Sequence, residues 1–210
     1  MPRALASLST APTPRATAWN SRLRAMAERL ALTETLASLF SEAETRLGPF
    51  SVEDDPSWPS PCLEDERLGN QRRWRPTRQQ PRPDAPLAGL GEALGQAIPE
   101  SLQAFYSSFY SDPIPLPSPW GALSLTLPWS EAEWPRLLEN QLGHCLQQKR
   151  FRLPMAPFIA VQEDEGDGIV SVLLATGEVV LEGPGRRERE TLAPDLNAFL
   201  TTLLAHLRNG

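Results

Sequence analysis

The sequence has few lysines and no long apolar run. Lys149 is its only lysine, so arginine supplies almost all the positive charge, and the 210 residues carry a net charge of -6 at pH 7. Nucleic-acid binders normally present a basic face, so we expect no nucleic-acid partner. No stretch approaches the ~20 consecutive apolar residues of a transmembrane helix, so we also expect no direct membrane insertion.

Side chains that bind metals or act as nucleophiles are equally scarce. Cys62 and Cys145 are the only cysteines, and His144 and His206 the only histidines. The two thiols could form one disulfide, but they fit a reducing cytosol at least as well, as small buried apolar side chains. Neither histidine has a second ligand at metal-binding spacing, so we expect no metal and no cofactor.

A catalytic site would have to use His144, Cys145 or His206. Adjacent helical residues project about 100° apart, so His144 and Cys145 cannot face one another as a nucleophile and its base. The glycines of 89–95 have one residue too many for a dinucleotide-binding fingerprint, and no convincing strand precedes them. The sequence therefore favours a binding module, and an enzyme that uses these three side chains is the alternative.

Proline is abundant, with 22 residues, and should divide the chain into short elements joined by rigid loops. We expect one domain over 19–210, with a solvated Pro/Arg/Gln-rich loop at 75–86. Residues 1–18 should be disordered or loosely packed. The first 27 residues hold four arginines and no acid, which resembles a transit peptide, but we interpret them as an extension and not as a targeting sequence.

Apolar spacing predicts an α+β fold. Helical periodicity covers 19–47, 87–109 with a pause at Pro99, 130–148, and the residues from Pro194 onward. Strand patterns cover 71–74, 123–127, 158–161, 169–175 and 178–181, and the last three predict an antiparallel meander. The acidic, proline-rich stretch 50–61 is predicted to be a loop.

The stretch 120–161 predicts a strand, a capped helix and a second strand in close succession. Alternation over 123–127 indicates a half-buried strand. Ser130 and Glu133 have capping-box spacing, while Trp129 and Trp134 occupy the positions of a hydrophobic staple. Pro135 conflicts with a helix that begins at Ser130, because at the fifth helical position it should remove a hydrogen bond or distort the first turn.

Several segments resemble one known family, and they occur in its order from about residue 58 to the C-terminus. This resemblance to the Syd family is carried by 58–62 (WPSPC), 98–106 (IPESLQAFY), 125–131 (LTLPWSE), 138–144 (LENQLGH) with 148–150 (QKR), 153–154, 158–160, 169–172, 177–179 and the last helix.

The resemblance implies the SUKH fold, a mostly antiparallel central sheet of about five to six strands flanked by helices, with an acidic concave face. It also implies a non-enzymatic regulatory or quality-control protein that binds SecY, the channel subunit of the Sec translocase. Such a protein is cytoplasmic and loosely associated, through SecY, with the cytoplasmic side of the bacterial inner membrane. An immunity-type protein of the same fold, which neutralises a toxin with a basic surface, is the rival interpretation.

Charge supports this expectation, because cytosolic loops of membrane proteins carry excess lysine and arginine and attract an acidic partner. Each matching carboxylate can equally be a solvated side chain. Glu131 is favoured over Glu133, whose side chain should be occupied in the cap. Three basic segments depart from the pattern, namely the N-terminal extension, the 75–86 loop and 186–187. The candidate partner-binding residues are Glu131, Glu133, Glu139, Glu163, Asp164, Glu165, Asp167 and Glu178.

Overall fold

The computed structural model describes residues 14–81, 86–163, 167–183 and 189–210. Its helices are α1 (Pro14–Leu47), α2 (Ala88–Leu94), α3 (Glu100–Tyr106), α4 (Trp134–Arg150) and α5 (Leu196–Asn209), with a 3₁₀ turn over Glu131–Glu133. Its strands are β1 (Phe50–Glu53), β2 (Leu63–Leu68), β3 (Gln71–Trp74), β4 (Thr77–Arg78), β5 (Phe109–Tyr110), β6 (Pro115–Leu116), β7 (Leu123–Leu125), β8 (Phe158–Gln162), β9 (Ile169–Val172), β10 (Val179–Glu182) and β11 (Arg189–Ala193).

The central sheet has six strands in the order β11-β10-β9-β8-β7-β6, and every neighbouring pair is antiparallel. Because chain neighbours are also sheet neighbours, the sheet is one continuous meander. A three-stranded sheet in the order β1-β3-β2 and the β4-β5 pair lie outside it. The predicted α+β class and the five to six mostly antiparallel strands are confirmed.

Several elements differ from the sequence predictions. The predicted loop at 50–61 contains β1, which pairs with β3, and the predicted loop at 75–86 contains β4, which pairs with β5. The helix through the aromatic cluster ends at Tyr106, and Phe109 lies in β5. Strand β11 was missed because its sequence, RETLA, is polar and half exposed, as an edge strand tolerates.

Strand β7 is buried on both faces. Leu123 and Leu125 are buried as predicted, but Ser124 between them is also buried. The expected half-buried strand is therefore wrong, because a period-two pattern reports the polarity of a face and not whether another element covers it.

Helix α4 does not begin with the predicted capping box. It begins at Trp134, which places Pro135 in the first turn, where the missing N–H costs nothing. Ser130 makes no side-chain cap hydrogen bond, and residues 131–133 form a separate 3₁₀ turn. The Glu133 carboxylate instead accepts hydrogen bonds from Arg136, at 2.8 Å, and from the Trp58 indole, at 3.4 Å. Proline therefore decides where this helix starts.

Two buried glutamines of α4, Gln141 and Gln148, bind the backbone around the start of β8. Gln141 accepts from the Phe158 N–H at 3.0 Å and donates to the Phe158 carbonyl at 2.8 Å. Gln148 accepts from the Ala156 N–H at 2.8 Å and donates to the Ala156 carbonyl at 3.1 Å. We call these four hydrogen bonds the glutamine clamp, and they fix α4 against the sheet.

Helix α1 packs along its C-terminal half only. Its buried residues contact α3 and α5, and they are Leu32, Leu36, Leu39, Phe40 and Ala43. The helix begins at Pro14, five residues before the predicted start, and the described part of its first half is largely exposed. Among the described helices, none combines the length and apolar character needed to cross a membrane.

Candidate functional site

An acidic cleft of about 320 Å³ lies where the 3₁₀ turn and the first turns of α4 meet two loops. Residues 58, 111–113 and 126–129 form its remaining walls. We call it the acidic cleft. Its polar lining includes Asp112, Glu133, Arg136 and Asn140, and its apolar lining includes Trp58, Leu127, Trp129, Leu137 and Phe158.

The loop that carries Trp58 is held in place by specific contacts. The Trp58 and Trp129 rings lie 5.8 Å apart between centroids, and the Trp129 indole donates to the Trp58 carbonyl at 3.4 Å. Ser60 donates to the Trp129 carbonyl at 2.5 Å. Cys62 is buried in the core. These contacts fix Trp58 in the wall of the acidic cleft, although the segment 58–62 is a loop between two strands.

Two carboxyl groups face the acidic cleft. A backbone hydrogen bond of 3.1 Å from Ser111 to Pro128 holds the neighbouring Asp112 beside the cleft wall. Burial raises the pKa of Asp112 above its usual range, and the charge of Glu133 raises it further. Since a nearby cation favours the ionised form of both acids, the cleft suits a guanidinium or an ammonium group.

A second cleft, of about 770 Å³, lies on the other side of the 3₁₀ turn and is lined by Pro59, Pro61 and Pro81. We call it the proline-lined cleft. Glu131 contributes to its lining and is exposed, and its carboxylate accepts a hydrogen bond of 2.9 Å from the Tyr110 hydroxyl. Glu131 and Glu133 therefore occupy neighbouring clefts that are separated by a single turn.

The other predicted residues lie elsewhere. Glu139 is exposed on α4, and Glu163 and Asp167 are exposed between β8 and β9. Asp167 has φ 43°, a left-handed conformation that aspartate tolerates in turns. Glu178 is half-buried between β9 and β10 and accepts from Thr176 at 2.8 Å. Asp164 and Glu165 lie outside the described residues, as does the pair at 186–187.

The predicted acids are divided between two ends of the sheet. Leu125 pairs with Ala160 and Leu123 with Gln162, so the end of β7, which leads to the clefts, lies beside the start of β8. Glu163 and Asp167 follow the far end of β8. The structure thus brings Glu131 and Glu133 together and separates them from Glu163 and Asp167. Asp112 was missed, since its only signal is an acid two residues after the aromatic cluster 105–110.

The pairing of His144 with Cys145 is not a catalytic site. Cys145 is 0% exposed, and burial raises the pKa of its thiol to about 12, with a further contribution from the charge of Glu182. The thiolate is therefore scarce near neutral pH. Cys62 and Cys145 are both free and buried, so of the two alternatives, a disulfide and two small buried side chains, the structure has the second.

His144 instead belongs to a polar network under α4. Its Nε2 lies 2.8 Å from the Gln148 side chain, 3.5 Å from the Ser171 hydroxyl and 3.6 Å from a Glu182 oxygen. A serine–histidine–acid triad needs the serine and the acid on different ring nitrogens. Here both lie at Nε2, and Ser171 is fully buried, so the network is structural.

Glu182 in this network makes stability depend on pH. Burial would raise its pKa, but hydrogen bonds from His144 and Ser171 and the charge of Arg189 lower it below its usual value. A lowered folded-state pKa contributes stability above the unfolded pKa of about 4.3, and this contribution is lost as pH falls through the folded value.

We expect Glu182→Gln to reduce the slope of unfolding free energy against pH below about pH 5, as measured by urea denaturation from pH 3 to 7. Glu139→Gln, which changes an exposed side chain of α4, is the control. An identical slope in wild type and Glu182→Gln would contradict the assignment.

The described residues contain no group of three or more His, Cys, Asp or Glu side chains placed to hold a metal ion. What they do contain is an antiparallel sheet flanked by helices, and an acidic cleft with aromatic walls beside it. These features define an α+β protein with an acidic cleft on its surface.

Sequence comparison gives the family. Residues 28–204 match the family model of the Syd protein (SUKH-2), and the chain belongs to that family. It is 40% identical over 147 residues to Protein Syd of Hahella chejuensis, which covers 69% of this chain and 73% of the relative. It is 35% identical to Protein Syd of Pseudoalteromonas atlantica (71% and 81% covered) and 34% identical to that of Photobacterium profundum (83% and 94% covered).

Proposed function

We propose that this protein binds SecY on the cytosolic side of the bacterial inner membrane and acts there as a non-enzymatic regulatory or quality-control protein. The observation that carries the proposal is the acidic cleft, where Asp112 and Glu133 stand between aromatic walls. Membership of the Syd family supports the choice of partner. The protein would be cytoplasmic and only loosely attached to the membrane, through SecY.

The cleft fits basic loops for two physical reasons. A carboxylate forms short, charge-assisted hydrogen bonds with arginine or lysine, and an aromatic face attracts the same cations. Cytosolic loops of membrane proteins are rich in both residues. Arg136 is exposed and lies 2.8 Å from Glu133. An incoming guanidinium would replace Arg136 as the ion-pair partner of the Glu133 carboxylate. The exposed Glu131, Glu139 and Glu163 and the half-buried Glu178 extend the acidic surface and steer the approach.

Co-purification with SecY-containing membranes tests the proposal. The variant Asp112→Asn/Glu133→Gln removes both charges with little change of shape, and we expect it to weaken association at least tenfold. Glu190→Gln, exposed on β11 at the far edge of the sheet, is the control and should bind as wild type. Added salt should weaken the wild-type association.

A second variant locates the docking surface. Glu163→Lys reverses an exposed charge at the opposite end of the sheet from the clefts. If the acidic face extends along the whole sheet, this change also weakens association. Binding that resists both variants and salt would remove the electrostatic mechanism, and recovery of a soluble nuclease instead of SecY would favour a toxin-neutralising protein.

A further inference from the structure

The projecting half of α1 exposes four large apolar side chains in one line. Trp19, Leu23, Met26 and Leu30 follow one another at spacings of four, three and four residues, which places them on one helix face. Their exposed fractions are 62%, 46%, 61% and 57%. We call this line the N-terminal stripe. Its exposure distinguishes it from the packed half of the same helix.

The stripe is not a continuation of the core-facing side. At about 100° per residue, its centre lies about 130° around the helix from the centre of the buried set that starts at Leu32. The helix therefore turns one apolar face to its own core and a different one to the outside. The packing of α1 against α5 therefore does not explain the second, exposed apolar face.

The charge around the stripe is positive. Arg22 and Arg24 are exposed, about 70° to one side and about 130° to the other side of the centre of the stripe. Residues 1–27 contain four arginines and no acid, in a chain of net charge -6. The first acid is Glu28, which is also where the match to the family model begins. Three of the four stripe residues thus lie outside the region that matches the family model.

We propose that the N-terminal half of α1 lies along the surface of an anionic phospholipid membrane. The stripe would enter the boundary between headgroups and acyl chains, with Trp19 at the depth that tryptophan prefers. Arg22 and Arg24 would extend toward the phosphates while their apolar stems cover lipid. The helix would rest in the interface without crossing it.

Lipid explains the charge better than a second copy of the chain does. Two copies paired along their stripes would place Arg22 of both helices beside the contact, and the stretch 14–27 offers no acid to compensate them. Like charges at such a distance are destabilising. An anionic surface, in contrast, satisfies the apolar face and the arginines at once.

The inference revises one expectation from the overall charge. A net charge of -6 predicts repulsion from anionic lipid for the chain as a whole. Because screening limits that repulsion to about 8–10 Å, a basic helix that projects from an acidic body can still bind. The body would then face away from the lipid, and the protein would be oriented on the membrane.

Sedimentation of the full chain with vesicles tests this inference, using phosphatidylcholine with and without phosphatidylglycerol. Wild type should bind the anionic vesicles and lose binding in high salt. Leu23→Glu/Leu30→Glu should bind at least tenfold more weakly, and Arg22→Gln/Arg24→Gln about 10- to 30-fold more weakly. Leu68→Glu/Leu146→Glu makes the same chemical change at similarly exposed positions, 47% and 46%, away from α1, and should leave most of the binding intact.

Three results would overturn the inference. The first is that wild type does not sediment with anionic vesicles, and the second is that both pairs of leucine variants lose binding equally. The third is a dimer in analytical ultracentrifugation that Leu23→Glu/Leu30→Glu dissociates without any effect on vesicle binding. The vesicles contain no SecY, so failure here leaves the proposed docking untouched, and failure of the docking leaves the lipid surface untouched. All substituted side chains are exposed, and circular dichroism verifies that each variant folds.

Discussion

Replacing either glutamine of the clamp with leucine is expected to lower the free energy of unfolding by about 2–3 kcal/mol. Leucine fills a similar volume, so the loss comes from backbone groups left without partners in the interior. In Gln148→Leu these are the N–H and the carbonyl of Ala156, and the Glu182 carboxylate also loses a donor at 2.9 Å. In Gln141→Leu the Phe158 N–H is affected, while its carbonyl still accepts from the Tyr106 hydroxyl. Urea denaturation at neutral pH measures both losses.

Gln147→Leu is the matched control, because Gln147 is exposed on the same helix between the two clamp residues. It should change stability by no more than about 0.5 kcal/mol. Because domains of this size are stable by only about 5–15 kcal/mol, the double variant Gln141→Leu/Gln148→Leu should unfold well below the wild-type temperature. A clamp variant as stable as Gln147→Leu would show that water satisfies the freed groups.

Arg189→Met is expected to destabilise the protein by about 3–5 kcal/mol at neutral pH. Arg189 and Glu182 are 10% and 13% exposed in their side chains and lie 3.2 Å apart. Arg189 also donates to the Pro154 carbonyl at 2.7 Å. Removing the guanidinium leaves a buried carboxylate whose remaining partners carry no permanent positive charge.

Arg208→Met is the comparison, because Arg208 pairs with Glu42 at 3.4 Å with half of its side chain exposed. Surface pairs of this kind contribute about 0–1 kcal/mol. Adding Glu182→Gln to Arg189→Met should recover part of the loss, since the unpaired charge is then absent. Thermal denaturation of these three variants tests the prediction, and equal losses for the two arginines would place the Glu182–Arg189 pair in solvent.

Periodicity predicted the elements that bury a regular face. The meander β8-β9-β10 and helix α5 follow from spacing alone, because Leu196, Phe199, Leu200, Leu203, Leu204 and Leu207 are all buried. Strand β3 was also predicted, as 71–74. In these segments the local apolar pattern agrees with the burial in the folded protein, so their secondary structure can be predicted from the sequence.

The remaining elements depend on contacts that local sequence does not encode. Strand β1 forms only because β3 supplies its partner, and β11 is polar because it lies at an edge. Asp195, and not Pro194, precedes the final helix, as the N-cap that accepts from the Ala198 N–H at 2.8 Å. The capping box failed for a local reason, since Pro135 moved the start of α4 by several residues.

The candidate site was half predictable. Glu131 and Glu133 were identified from a pattern of acids near a strong structural motif, and the structure places both at clefts. Asp112 reaches the acidic cleft only because the 111–113 segment bonds to Pro128, a contact between residues distant in the sequence. Charge and family resemblance indicate a surface, whereas the grouping of particular acids requires the fold.

The glutamine clamp also sets how parts of the molecule exchange hydrogen with solvent. The amide hydrogens of Ala156 and Phe158 are held by side chains of α4 and not by a neighbouring strand. They can exchange only when α4 lifts from the sheet, whereas most amides within the sheet need strand separation. If their protection equals that of β9, then α4 and the meander open as one cooperative unit, and the wall of the acidic cleft formed by α4 is as rigid as the sheet itself.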